Sequence, residues 1–344
     1  MNKKIVALAV AAAFAIPAAA SAQTTLFGQF KYEVGFIDDG NDSNLVHSSR
    51  GTRLGIRGAE DLGGGLQGIY RFQSGFANVN QGLTSTSFNL DEEAWVGLQG
   101  GFGRLLVGRS DTAVKNASKP FRAFTDTLAD TQNRPFGFQR AEGIHYTTPN
   151  FGGATVGLTI EPNGNETDVY YAANVIYNQG PLFVSAAVEG TPSDPAAVVP
   201  ITETQIVNGE LQEVVVGERA VATYAVGEIG VDETNWQIGA SWDFGPGDVG
   251  LLYQARNDGD DDVITIPVNY KVLPNVNLRA AVQYVDLDDG DDFTSFAVGA
   301  QYMLSGRTEL FANIWDDDWV GATRGGNVNA SDDTHFGVGV RHSF

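Results

Sequence analysis

The chain has no cysteine, so no disulfide cross-links it and no thiolate holds a metal. It has only four histidines, His47, His145, His335 and His342, and none stands in a G-x-S-x-G or H-E-x-x-H arrangement. There is no P-loop either. A hydrolase needs a nucleophile oriented by a base, and no such set is legible, so no enzyme, cofactor or metal is expected. Carboxylate pairs such as Glu92-Glu93 read as chance in an acidic chain. Basic residues are scarce: 21 Lys and Arg stand against 42 Asp and Glu, a net charge of −21, which excludes a nucleic-acid-binding surface. Beyond the first residues no run reaches the ~18 apolar residues a transmembrane helix needs.

The one apolar run is N-terminal. Lys3 and Lys4 precede Ile5–Ile16, Pro17 interrupts it, and Ala20-Ser21-Ala22 ends it as an A-x-A motif. This is the pattern of a secretory signal peptide over residues 1–22, too short and too broken for an anchor helix. The expected mature domain is 23–344. An exported chain without apolar helices is either soluble or a closed barrel in the outer membrane, because only helices and closed barrels pair every backbone group in lipid.

What is abundant favours the barrel. Glycine (42), phenylalanine (20) and tyrosine (11) recur along segments that alternate with period two. Leu26, Gly28, Phe30, Tyr32, Val34 and Phe36 share one parity, and Phe27, Gln29, Lys31, Glu33 and Gly35 the other. Thr52, Leu54 and Ile56 oppose Arg53, Gly55 and Arg57; Leu66, Gly68, Tyr70 and Phe72 oppose Gln67, Ile69, Arg71 and Gln73. One face suits lipid and the other a polar lumen. The last segment, Phe336 to Phe344, alternates in the same way and is expected to pair with the first.

Connections alternate in length. Tight, Gly-, Pro- or Asn-bearing ones fall at 62–65, 99–103, 150–152, 178–181, 244–247, 273–275 and 304–306. Polar and mostly longer ones fall at Asp38–Ser49, Ala77–Phe88, Asp111–Gln139, Pro162–Thr167, Thr191–Glu233, Asp258–Asp262, Asp286–Asp292 and Asp316–Asp333. Seven tight turns and eight long connections predict an all-β, transmembrane antiparallel barrel of sixteen strands around an aqueous lumen. Ala220–Glu228 is β-like and could be an extra strand or a hairpin within its loop, which leaves eighteen strands open.

These residues resemble the trimeric, sixteen-stranded general diffusion porins of Gram-negative bacteria. The likeness is carried by Thr25-Leu26-Phe27-Gly28 and by Ser49 to Gly65, with its Gly-Thr-Arg-Leu-Gly and Gly-Ala-Glu-Asp-Leu-Gly-Gly-Gly. It continues in Glu93 to Leu98, Gly103 to Arg109, Ile144 to Gly153 and Val340 to Phe344. From Glu161 to Asp333 it rests on hairpin rhythm. Glu142 and Gly143 stand where the family often has Asn and Ser. The resemblance implies an outer-membrane channel for ions and small hydrophilic solutes and a homotrimer with three pores. It also implies lipopolysaccharide contacts, a C-terminal Phe344 read by the barrel assembly machinery, and an inter-subunit latch at Ala77–Phe88. The third long connection, Asp111–Gln139, would fold into the barrel as a constriction.

Its acids Asp111, Asp126 and Asp130 and its bases Lys115, Lys119, Arg122 and Arg134 would oppose wall cations Arg53, Arg57, Arg71 and, more weakly, Lys31. Such opposed charges set a transverse field. Acidic clusters at 258–262, 286–292 and 316–333 fall in outer connections and suggest weak cation preference, with divalent ions bridging to lipopolysaccharide phosphates. Asp286-Leu287-Asp288-Asp289-Gly290 is no EF-hand, since its Gly falls one place early. The alternatives are a substrate-specific channel, an outer-membrane enzyme and an adhesin. A plugged transporter would need a further ~100-residue plug domain.

Overall fold

A computed structural model describes residues 23–38, 43–75, 92–130, 140–162, 169–190, 198–207, 210–220, 234–256, 262–286, 292–317 and 334–344. The strands run β1 Gln23–Asp38, β2 Ser43–Ser48, β3 Arg53–Gly63, β4 Leu66–Gly75, β5 Glu93–Gly100 and β6 Gly103–Asp111. Then come β7 Arg140–Thr147, β8 Ala154–Pro162, β9 Val169–Gln179 and β10 Leu182–Gly190. After β11 Val198–Val207 and β12 Glu210–Ala220 follow β13 Thr234–Asp243, β14 Gly247–Arg256, β15 Asp262–Leu273 and β16 Val276–Asp286. The last are β17 Phe293–Met303, β18 Thr308–Asp317 and β19 Thr334–Ser343.

Every pairing is antiparallel; besides the one that closes the ring, the pairings of β1 with β3 and of β10 with β13 pass over β2 and over β11–β12, and the rest join sequence neighbours. At the closure β1 pairs with β19, from Gln29 opposite Ser343 to Phe36 opposite Phe336. On its other edge β1 pairs with β2 (Glu33 opposite Ser48) and with β3 (Gln29 opposite Arg53). β2 and β3 are therefore one stave broken at Ser49–Thr52, and the seventeen-stranded sheet is a closed barrel of sixteen staves. Closure leaves no sheet edge, so every stave has a hydrogen-bonded neighbour on both sides in lipid.

The seven tight turns fall where the glycines and prolines put them. Two expectations change. Asp38–Ser49 is not all loop, because β2 continues the second stave through it; Leu45 faces out and Val46 in, but the flanking Asn44, His47 and Ser48 hide that alternation. And β11 and β12 pair only with each other, so they add no stave and the eighteen-strand option falls. The β character lies just ahead of Ala220–Glu228, of which 221–228 are outside the described residues.

Parity decides what each side chain meets. Leu26, Phe30, Tyr32, Phe36, Ile56, Val96, Val107, Ile144, Val175 and Leu251 are exposed on the outer face, an apolar band fit for lipid. Aromatic side chains mark both of its margins: Phe36, Tyr171, Trp236 and Phe336 toward the long connections, and Phe102, Phe151, Trp242, Tyr302 and Phe344 toward the short turns. The opposite parity carries Lys31, Glu33, Gln73, Asn174, Gln237, Gln283 and Asn313, polar and buried within the barrel.

Candidate functional site

The chain leaving β6 turns inward. Thr112 caps a short helix, α1 (Ala113–Ser118), by accepting from the Lys115 N–H at 3.1 Å. A 3-10 turn (Lys119–Phe121) and tight turns through Asp130 follow. This segment lies against the inner wall from β8 round to β1. Ala113, Val114 and Ala117 pack on Ala141, Tyr170, Ala172 and Ala187. Phe124, Leu128 and Ala129 pack on Val46, Ala281, Ala297 and Trp315.

Glycines on the wall make room for the rings. A Cβ at Gly239 would lie 2.5 Å from the Phe121 ring, and one at Gly299 would lie 3.0 Å from that of Phe124. The Arg279 guanidinium stacks 4.5 Å above Phe124.

The segment's carbonyls, which no helix or sheet satisfies, are met by wall side chains. Asn174 donates to the Ala113 oxygen (2.6 Å), Gln237 to Val114 (2.8 Å), Ser185 to Ala117 (2.9 Å) and Arg279 to Ala123 (3.0 Å). Thr159 accepts from the Ala113 N–H at 3.1 Å. Each such bond is worth about 1 kcal/mol net, but leaving a buried carbonyl unpaired costs more.

The tip is held at β1. Glu33, fully buried, accepts from the Leu128 N–H at 2.9 Å, and Lys31 donates to the Asp126 carbonyl. Lys31 and Glu33 pair at 3.4 Å. Asp126 has φ 65°, alone among the described non-glycine residues in that region. It sits over the break in the second stave, where Gly51 (φ +82°) leaves room; a Cβ there would come within 2.7 Å of Asp126. The Thr52 hydroxyl, bonded to both the N–H and the carbonyl of Lys31, and Gln29, donating to the Gly51 carbonyl, stitch that break to β1.

The passage is left between this segment and staves β3 to β7. Arg53, Arg57 and Arg71 lie on the inward parity of β3 and β4, Arg57 opposite Arg71 in register. Arg53 lies 3.6 Å from Asp126 and 3.8 Å from Glu92; Arg71 lies 3.3 Å from Glu93. Arg57 and Arg71 both stack on the Phe27 ring, at 5.1 and 4.8 Å. Asp111 gathers Lys115 (2.7 Å), Lys119 (2.9 Å) and Arg140 (3.4 Å), and Arg140 also reaches Glu92 at 3.7 Å. Burial pulls the Lys115 ammonium down to about 8, against the upward pull of Asp111.

Two expected residues stand differently, and a third is not among the described residues. Lys31 is 2% exposed and lies beneath the tip, so it anchors the segment instead of facing the passage. Asp130 is buried, accepts from the Asp126 N–H at 2.9 Å and stands 4.0 Å from Arg50, so it shapes the tip. Arg134 lies outside the described residues.

Sequence reasoning missed Glu92 and Glu93, dismissed as a chance pair, although Glu93 shares its inward parity with Trp95. It also missed the inward glycines. Arg109 and Glu142 are register partners across β6 and β7, on the outward parity of Val107 and Ile144. Phe344 closes the ring: its N–H donates to Gly28 at 3.0 Å and its carbonyl accepts from Gly28 at 3.1 Å.

Comparison with known proteins agrees with this geometry. The chain is 26% identical over its whole length, and that of the relative, to the major outer membrane protein P.IB of Neisseria meningitidis serogroup B. Its fold superposes on an anion-selective porin from Comamonas acidovorans with a TM-score of 0.67 at 22% identity, covering 94% of this chain and 100% of that one. It also superposes on the trimer form of OmpT, an outer membrane protein of Vibrio cholerae, with a TM-score of 0.59 at 16% identity, covering 94% and 99%. The family described as Gram-negative porin matches residues 7–318, and the chain belongs to it: an outer-membrane channel for passive diffusion.

Proposed function

We propose that this channel prefers small anions and that the inward segment with the arginines facing it is its selectivity filter. The carrying observation is the balance of charge at the passage. Arg53, Arg57, Arg71, Arg140, Lys115 and Lys119 outnumber Glu92, Glu93, Asp111 and Asp126, and each of these carboxylates is already paired. In a narrow lumen with low-dielectric walls the unmatched sign dominates. The acidic clusters that favoured cations in the sequence lie largely outside the described residues.

Residues 1–22 serve as the export signal, Phe344 as the assembly signal, and the barrel acts as a homotrimer in contact with lipopolysaccharide. The reading includes no catalytic step. It is tested by the reversal potential of single channels in a KCl gradient. Anion preference is expected, weakened in Arg57→Glu and Arg71→Glu; cation preference in the unaltered protein overturns it.

A further inference from the structure

Between α1 and the short-turn rim the filter's Arg71, Glu93 and Lys119 also line a recess of ≈ 360 Å³, together with Trp95, Arg104 and Asn116. The size suits a small-molecule site, which typically occupies about 300–1,000 Å³. Its carboxylates are committed. Glu93 binds Arg71 and accepts from the Trp95 indole N–H at 2.9 Å, and the neighbouring Asp111 is shared by Lys115, Lys119 and Arg140. Its cations are not exhausted. Arg104, exposed on β6, has no carboxylate partner among the described residues, and the buried Nε of Arg71 has no hydrogen-bond partner.

One aromatic ring is fixed here yet uncovered. The bond to Glu93 holds the Trp95 indole, and no ring or guanidinium stacks on it among the described residues, whereas Phe27 carries two guanidiniums.

We propose that this recess is a transit subsite for small planar aromatic carboxylates. The carboxylate pairs with Arg104 and Lys119, and the ring lies against Trp95. A bare inorganic anion would use the cations and leave the indole idle; an aliphatic acid would gain less from it. Binding must stay weak for the solute to leave, and one stacked ring with an exposed ion pair is of that kind. The inference rests on the anion-passing channel proposed above and names a solute class for it.

The test is ion current through single channels in KCl, titrated with benzoate, cyclohexanecarboxylate or acetate on the short-turn side. Benzoate is expected to reduce the current saturably, at a half-blocking concentration lower than that of cyclohexanecarboxylate by about threefold or more, with acetate weakest. Trp95→Leu should abolish the difference between the two ring acids, and Arg104→Gln should weaken both. Equal block by the two ring acids, or discrimination that survives in Trp95→Leu, overturns the subsite alone. Folded barrels that carry no KCl current overturn the channel reading and this inference with it.

Discussion

The two halves of the lumen wall are built from the same alternating strands but turn different chemistry inward. From β8 round to β1 the inward positions opposite the loop are alanines, glycines and uncharged donors, with Arg279, Lys31 and Glu33 buried and paired. From β3 to β7 they are arginines and glutamates that stay partly exposed. The first half is a seat and the second is a surface. A loop can narrow a channel only if it is fixed, and fixing it takes rings, sockets and satisfied carbonyls; the solute needs mobile ions and water on the other side.

The sharpest way to break that contrast is to empty the seat. Phe121→Ala with Phe124→Ala removes two buried rings, at about 3–5 kcal/mol each by the usual cost of such truncations. The staves keep their ladders, so the barrel should still fold while the loop leaves the wall. Single-channel conductance and the size limit for sugars in liposome swelling should both rise. Arg57→Ala, on the open half, should leave thermal stability within ~0.5 kcal/mol of the unaltered protein. Unchanged conductance in the double variant would mean that the carbonyl bonds alone hold the loop.

A smaller break is Glu33→Gln. It leaves Lys31 buried against the Asp126 carbonyl without its counter-charge, a loss of about 3–5 kcal/mol for breaking a buried pair. Only the tip detaches, so the expected signature is a lower melting temperature with noisier current, and less gain in conductance than from the ring variant. Gly51→Ala should cost about 1–2 kcal/mol, since alanine resists φ +82° and its Cβ meets Asp126. A melting temperature equal to that of the unaltered protein would show that the tip can shift at no cost.

How much of this was legible follows the same divide. Strand parity placed Arg53, Arg57 and Arg71 inward because a period of two admits no other answer once the outer face is known. It placed Lys31 inward too, but parity is silent on what covers an inward residue, and here it is Asp126. Glycine within a strand is ordinarily a weak point; only the rings opposite Gly239 and Gly299 show that they are sockets. Glu92 and Glu93 looked like chance because their partners, Arg53, Arg71 and Arg140, are distant in sequence or belong to other staves. The stave broken at Ser49–Thr52 was half hidden, since its upper part carries mostly polar residues.

The smallest expected effect tests whether the loop also contributes charge to the open side. Lys115 sits on the seated helix yet pairs with Asp111, which also binds Arg140, its register partner on β7. Burial lowers its pKa from 10.5 to about 8, so it sheds its proton between pH 7 and 9, while the exposed chain would keep it to about 10.5. The cost of burying the ammonium is thus full below pH 8 and is relieved from there to 10.5. Over that window stability should rise with pH, by at most ~1.4 kcal/mol per unit. Anion preference should fall over pH 7 to 9, and only modestly, because Lys119 and Arg140 also stand beside Asp111. Reversal potentials across that range, compared with Lys115→Met, decide it. A step that persists in the variant assigns the titration to another group, and no step in the unaltered protein removes Lys115 from the filter.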